Sequence, residues 1–172
     1  MSSAGRDALA LAKRLKADAP KSFVPPSEGT RPENEFVLPH ALVRGTRGYI
    51  EKVAFQINGC YEKGWFDGCA VMMRRLMETL IIECFEHHEI AHEIKNTSGD
   101  FLFFGDLIDK TLQKTAWNLS KNTKKGLPKL KNIGDQSAHN RRYNAHRGDV
   151  ENVSTDFRVA CEELLYISGL KK

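Results

Sequence analysis

Residues 67–88 carry an apolar side chain at nearly every helical turn: Cys69, Met72, Leu76, Leu80 and Cys84, widened by Val71, Met73, Ile81 and Phe85. One neighbouring element cannot cover so wide a stripe. The segment therefore predicts a helix buried on much of its circumference, placed at the centre of a helical assembly. Asp67 is positioned to cap its first turn.

Other segments supply the neighbours. Ile50, Val53, Ile57 and Tyr61 recur at helical spacing in a segment that begins near Thr46 and ends at Gly64. Leu107, Ile108 and Leu112 mark a third helix over 104–116. A fourth covers 119–138, with Pro128 interrupting it or marking its real start. Val153, Phe157, Ala160, Leu164 and Ile167 stripe a last helix over about 150–168, and Gly169 stands where a C-terminal glycine cap belongs. No alternating strand pattern occurs. The expected fold class is all-α, a bundle of four to five helices over residues 46–172. Residues 1–45 precede it as a short helix at 7–19 and an arm at 20–45 holding five of the six prolines. Those prolines forbid a regular helix. Phe23, Val24, Phe36, Val37, Leu38 and Leu42 are too apolar for a free linker, so the arm is expected to strap across the body or a protein partner.

Four cysteines stand far apart without a C-x-x-C, three of them on apolar helix positions. That usage suits a reducing compartment. The start of the chain has no signal-type apolar core and no run reaches membrane-spanning length, so a cytoplasmic protein without a membrane partner is expected. Gly59, Gly64 and Gly68 form no phosphate loop, and no cofactor is expected.

Charge is unevenly placed. Residues 110–147 hold ten Lys or Arg and one acid, Asp135, whereas residues 78–93 hold five Glu. This predicts one positive face or end that attracts phosphates or an acidic protein, with a solvated basic helix face as the plainer alternative. Lys124, Lys125, Lys129, Lys131, Arg141, Arg142 and Arg147 are the candidate nucleic-acid contacts.

Within that region, residues 133–139 read Ile-Gly-Asp-Gln-Ser-Ala-His. Asp135 and His139 share a face if the stretch is helical. A carboxylate then orients an imidazole that moves protons near neutral pH. Arg74 and Glu78 are also four apart, on the most buried helix, where charges pair inward. If the fourth helix packs there, they meet Asp135 or His139. These four residues are the candidate catalytic set. Arg141 and His146, with four residues between them, form a second pair: Arg holds a phosphate while His shuttles a proton, the minimum for metal-independent RNA cleavage through the 2′-hydroxyl. The plainer alternative is two unrelated residues in the loop before the last helix.

His88-Glu89-Ile90-Ala91-His92 matches the zinc-protease pattern H-E-x-x-H. No downstream His stands in phase, residues 94–150 contain no Glu, and Glu93 follows the second His. The histidines are therefore read as polar residues at a helix C-terminus. No metal is expected, with His88, Glu89 and His92 kept as the alternative zinc set.

The apolar run, Arg, Leu and Glu of residues 70–80, the segment 130–139 with its Gly-Asp-Gln-Ser-Ala-His, and the closing amphipathic helix together resemble the HEPN superfamily, in a branch of unknown function often encoded beside restriction and phage-defence genes. The resemblance covers about residues 46–169. It implies a helical bundle, frequently dimeric, whose two signature segments meet at a cleft, and an activity of RNA cleavage without metal. The position matching the family's arginine is Gly134, followed by Asp135 and then His139. The resemblance therefore implies a domain that binds RNA or another nucleic acid, as a phage-defence or toxin-type component, with RNase activity second. The alternatives are a non-catalytic homodimerisation or protein-interaction module and a zinc hydrolase.

Overall fold

The computed structural model describes residues 35–172. The helix expected at 7–19 and most of the proline-rich arm lie outside the described residues. Among the described residues six α-helices follow one another: α1 (His40–Val43), α2 (Gly48–Glu62), α3 (Phe66–His87), α4 (Phe104–Gln113), α5 (Lys121–His139) and α6 (Arg147–Ile167). Single 3-10 turns occupy Ala91–Ile94 and Thr115–Trp117. Among the described residues there is no strand, only an isolated bridge between Lys95 and Phe101. The architecture is an all-α bundle, and no described helix is long and apolar enough to cross a membrane.

The 22-residue α3 is the central element, packed against α2, α4, α5 and α6. Its buried face is rotated slightly from the one read in the sequence. Cys69, Met73, Leu76, Met77, Leu80, Ile81, Cys84 and Phe85 are buried, whereas Val71 and Met72 are only half-buried. Burial this wide needs several partners, and α2, α5 and α6 all pack against α3.

Several expected boundaries move. Trp65, not Asp67, is the N-cap residue of α3. α4 stops at Gln113, and Asn118 takes a left-handed conformation (φ 48°) that turns the chain back. Trp117 thereby sets its ring edge-on to Phe85, 4.8 Å between centroids. Pro128 neither interrupts nor starts α5: the helix runs through it, and Ser120 caps the true start by accepting from Thr123 N at 3.2 Å. Pro128 is exposed, so the carbonyl that it leaves unpaired reaches water. α6 begins at Arg147, three residues earlier than expected, with His146 as its N-cap residue. Gly169 ends it as expected, at φ 67°.

The four cysteines are free. Burial pushes the Cys69 thiol up to about 12 and raises Cys84 and Cys161 as well, so all three stay protonated and pack as small apolar groups.

The end of the expected arm is part of the core. Val37, Leu38 and Val43 are fully buried in the same cluster as α3. Asn58 on α2 fastens this segment. Its Oδ1 accepts from Val37 N and Leu38 N, each at 3.1 Å, and its Nδ2 donates to Leu38 O at 2.7 Å. Asn58 is itself buried, so its removal strands two amides and a carbonyl away from water. Asn58→Ala is expected to lower unfolding free energy by about 2–4 kcal/mol, read from the urea midpoint at unchanged slope.

Candidate nucleic-acid interface

Residue 134 sits where α5 crosses α3. A Cβ added to Gly134 would lie 2.6 Å from Arg74 Cβ and 2.8 Å from its Cδ. With no side chain at 134, the Arg74 side chain crosses the helix interface. Its Nε donates to Asp135 Oδ1 at 2.9 Å and its Nη1 to Glu78 Oε2 at 3.4 Å. Its Cζ lies 5.1 Å from the centre of the Phe104 ring. Lys131 Nζ holds the other oxygen of Asp135 at 2.5 Å. Two acids and two cations thus form one chain, Glu78–Arg74–Asp135–Lys131, with each side chain partly exposed. Burial pushes the Asp135 carboxyl up, but the hydrogen bond and charge of Lys131, with Arg74, outweigh it, and the net pKa is lowered.

Arg74, Glu78 and Asp135 therefore meet as expected, but His139 does not join them. Both carboxylate oxygens of Asp135 are taken by cations, and the His139 side chain is exposed without a hydrogen bond or ion pair among the described residues. The expected Asp135–His139 acid–base pair is not formed. Asp135 is a paired, ionised group that fixes two helices. Two expected phosphate contacts are also committed elsewhere: Lys131 to Asp135, and Lys129 to Asp156 on α6 at 2.8 Å.

The second expected pair has a better-built setting. Residues 140–146 form an ordered loop. Asn140 accepts from Arg142 N through Oδ1 at 3.0 Å and from Tyr143 N through its carbonyl at 3.3 Å. Asp67 Oδ1 accepts from Ala145 N at 2.9 Å, which is what this residue does instead of capping α3. Asp149 Oδ2 accepts from His146 N at 2.8 Å and lies 3.7 Å from His146 Nδ1. Burial raises the Tyr143 phenol, helped by Asp149 and Asp67, so it remains a neutral donor in this loop. The His146 imidazole is 85 % exposed. Arg147 is on α6, not in the loop. Its Nη1 donates to Tyr61 Oη at 3.0 Å, and its Cζ lies 5.1 Å from the Tyr61 ring centre.

Lys124, Lys125, Arg141 and Arg142 are exposed and have no acidic partner among the described residues; Lys121, at the start of α5, is in the same position. The sequence did not single out Asp149 or Tyr143, and it read Asp67 only as a helix cap. The one available signal was Asp149 three residues after His146, the spacing of a helix N-terminus.

The H-E-x-x-H run does not lie on one helical face. α3 ends at His87, Glu89 turns the chain at φ 60°, and His92 falls in the following 3-10 turn. The His88 ring lies 5.5 Å from that of Trp117. Among the described residues, no group of three or more His, Cys, Asp or Glu side chains is placed to hold a metal ion. The geometry that a zinc hydrolase needs from His88, Glu89 and His92 is absent.

No protein-family model, curated protein or solved structure matches the chain.

Two consequences are measurable. Gly134→Ala gains about 1 kcal/mol of helix propensity but overpacks the Arg74 Cβ, which cannot rotate away, at a cost of about 1–3 kcal/mol. A lower urea midpoint is expected. The ion pairing of Asp135 stabilises the fold above the ordinary Asp pKa of roughly 4 and is lost as pH falls through the lowered folded-state value. The stability gap between wild type and Asp135→Asn should therefore be widest near neutral pH and close towards pH 2 in pH-resolved urea melts.

Proposed function

We propose that this chain is a HEPN-like helical domain that binds RNA through the basic surface running from the start of α5 to the α5–α6 loop. One observation carries the reading: Lys121, Lys124, Lys125, Arg141 and Arg142 are exposed without acidic partners among the described residues, while the single acid of residues 110–147, Asp135, is already neutralised by Arg74 and Lys131. Such cations gain most from phosphates, whose binding releases condensed counterions. The Gly134-Asp135 segment supports this surface and does not perform chemistry.

A second reading, RNA cleavage, is favoured by the placement of His146. Its imidazole is exposed beside Asp149 and follows Arg141 and Arg142 in an ordered loop. In that reading the 2′-oxygen attacks phosphorus and His146 takes the hydroxyl proton. The P–O5′ bond breaks, the departing oxygen takes a proton from water, and Arg141 holds the phosphate charge. A homodimer or a protein partner of the 20–45 arm is the alternative use of the fold.

RNA binding is tested by titrating labelled single-stranded RNA in EDTA across a salt series. With four or five phosphate contacts, log affinity should fall against log salt with a slope of about −3. Arg141→Ala with Arg142→Ala should reduce that slope by about 1–1.5. His146→Ala should leave binding intact and abolish any EDTA-resistant cleavage. Absence of salt-sensitive binding sinks the proposal, and a concentration-dependent dimer in sedimentation then favours the interaction module.

A further inference from the structure

The end of the bundle where the α2–α3 turn meets the α5–α6 loop carries a tryptophan in water. Trp65 is the N-cap residue of α3; its backbone is pinned by donation to Cys60 O at 2.8 Å, yet the residue is 65 % exposed. Two positions on, Asp67 holds Ala145 of the basic loop. Phe66, between them, faces the Arg147 guanidinium, 5.8 Å from Cζ to ring centre. The same end already stacks flat groups. Phe36 lies parallel to Tyr61 at 4.9 Å, and the Arg158 and Arg147 guanidinium groups face those two rings. An exposed indole on a fixed backbone offers a flat apolar face that a second flat group can cover without reordering the chain. The loop that Asp67 holds carries Arg141 and Arg142, both exposed and without an acidic partner among the described residues.

We infer that Trp65 is a stacking platform for an unpaired base of a single-stranded nucleic acid whose phosphates lie on Arg141 and Arg142. This rests on the nucleic-acid reading above and adds strandedness to it. A duplex keeps its base faces stacked internally, whereas a single strand offers one face per nucleotide to an aromatic ring. Ring stacking alone does not separate RNA from DNA, so both are used as probes.

The full chain is titrated at low salt with a uridine-rich RNA of about ten nucleotides, the matching DNA strand and the corresponding duplex, following tryptophan emission and labelled-strand anisotropy. Single strands should quench emission and the duplex should not. The quench should vanish in Trp65→Phe, which leaves only Trp117 as a fluorophore. Trp65→Ala should weaken single-strand binding about five- to a hundredfold and leave duplex binding within about twofold. An equal quench with RNA and DNA supports base stacking alone, and an RNA-only quench supports stacking with added 2′-hydroxyl contacts. Binding that depends on Arg141 and Arg142 but is indifferent to Trp65→Ala overturns the stacking role and leaves the basic surface standing. No binding of any strand overturns both. A shift of a dimer to monomer in Trp65→Ala assigns the ring to a second copy and overturns the inference.

Discussion

α5 lies against α3 because residue 134 has no side chain, and the rest of the site depends on that contact. An ordinary side chain there would meet Arg74 within 2.6 Å. Its absence lets the Arg74 chain cross and pair with Asp135, the next residue of α5. A close contact joined to an ion pair fixes both the distance and the rotation of α5. Once residue 134 faces α3, Gly126 and Lys129 face α6, where a Cβ at 126 would come within 2.9 Å of Asp156 Cβ and Lys129 pairs with the same residue. The one stripe left for water is the lysine stripe that includes Lys121 and Lys125.

That rotation sorts the cations into two groups. Lys129, Lys131 and Arg74 lie beside the few acids within reach and are neutralised. Lys121, Lys124 and Lys125 crowd the first turns of α5, which contain no acid of their own, although Glu163 reaches this end from α6 and accepts from Ser120 N at 3.0 Å. The helix macrodipole also places partial positive charge at that end. Glu163 offsets part of that charge through the Ser120 amide, and the three exposed lysines carry the rest. The basic surface is therefore smaller than the raw count of Lys and Arg implies, but what remains is less compensated.

Elements governed by periodicity were legible in the sequence. The apolar recurrence in residues 67–88 identified the central helix, and the inward position of Arg74 and Glu78 on it implied the meeting with Asp135. Features decided by tertiary competition were not. Asp67 satisfies a local rule for capping, yet Ala145 N, brought in by a loop 78 residues away in sequence, takes its oxygen. Pro128 reads as a breaker, but on a solvent face the lost hydrogen bond is replaced by water. Glu89 gives no sign of its left-handed conformation, which no glycine announces and which destroys the register of the H-E-x-x-H run. Asn58 is one polar residue among apolar ones, and only the packed chain shows that three backbone groups converge on it.

The same competition moves the acid–histidine relation along the chain. At Asp135 and His139 the spacing is right, but the cations Arg74 and Lys131 outbid the imidazole because a guanidinium and an ammonium are charged at every physiological pH and a histidine is not. Seven residues later no cation competes for Asp149, and His146 is held beside it by its own backbone amide. Four hydrogen bonds fix residues 140–146 before any ligand arrives. A loop already ordered has little conformational entropy left to lose, and Arg141 and Arg142, which have no acidic partner among the described residues, are carried on it rather than on a flexible tail. Position and rigidity, more than residue type, separate the histidine that stays beside its acid from the acid that only holds two helices together.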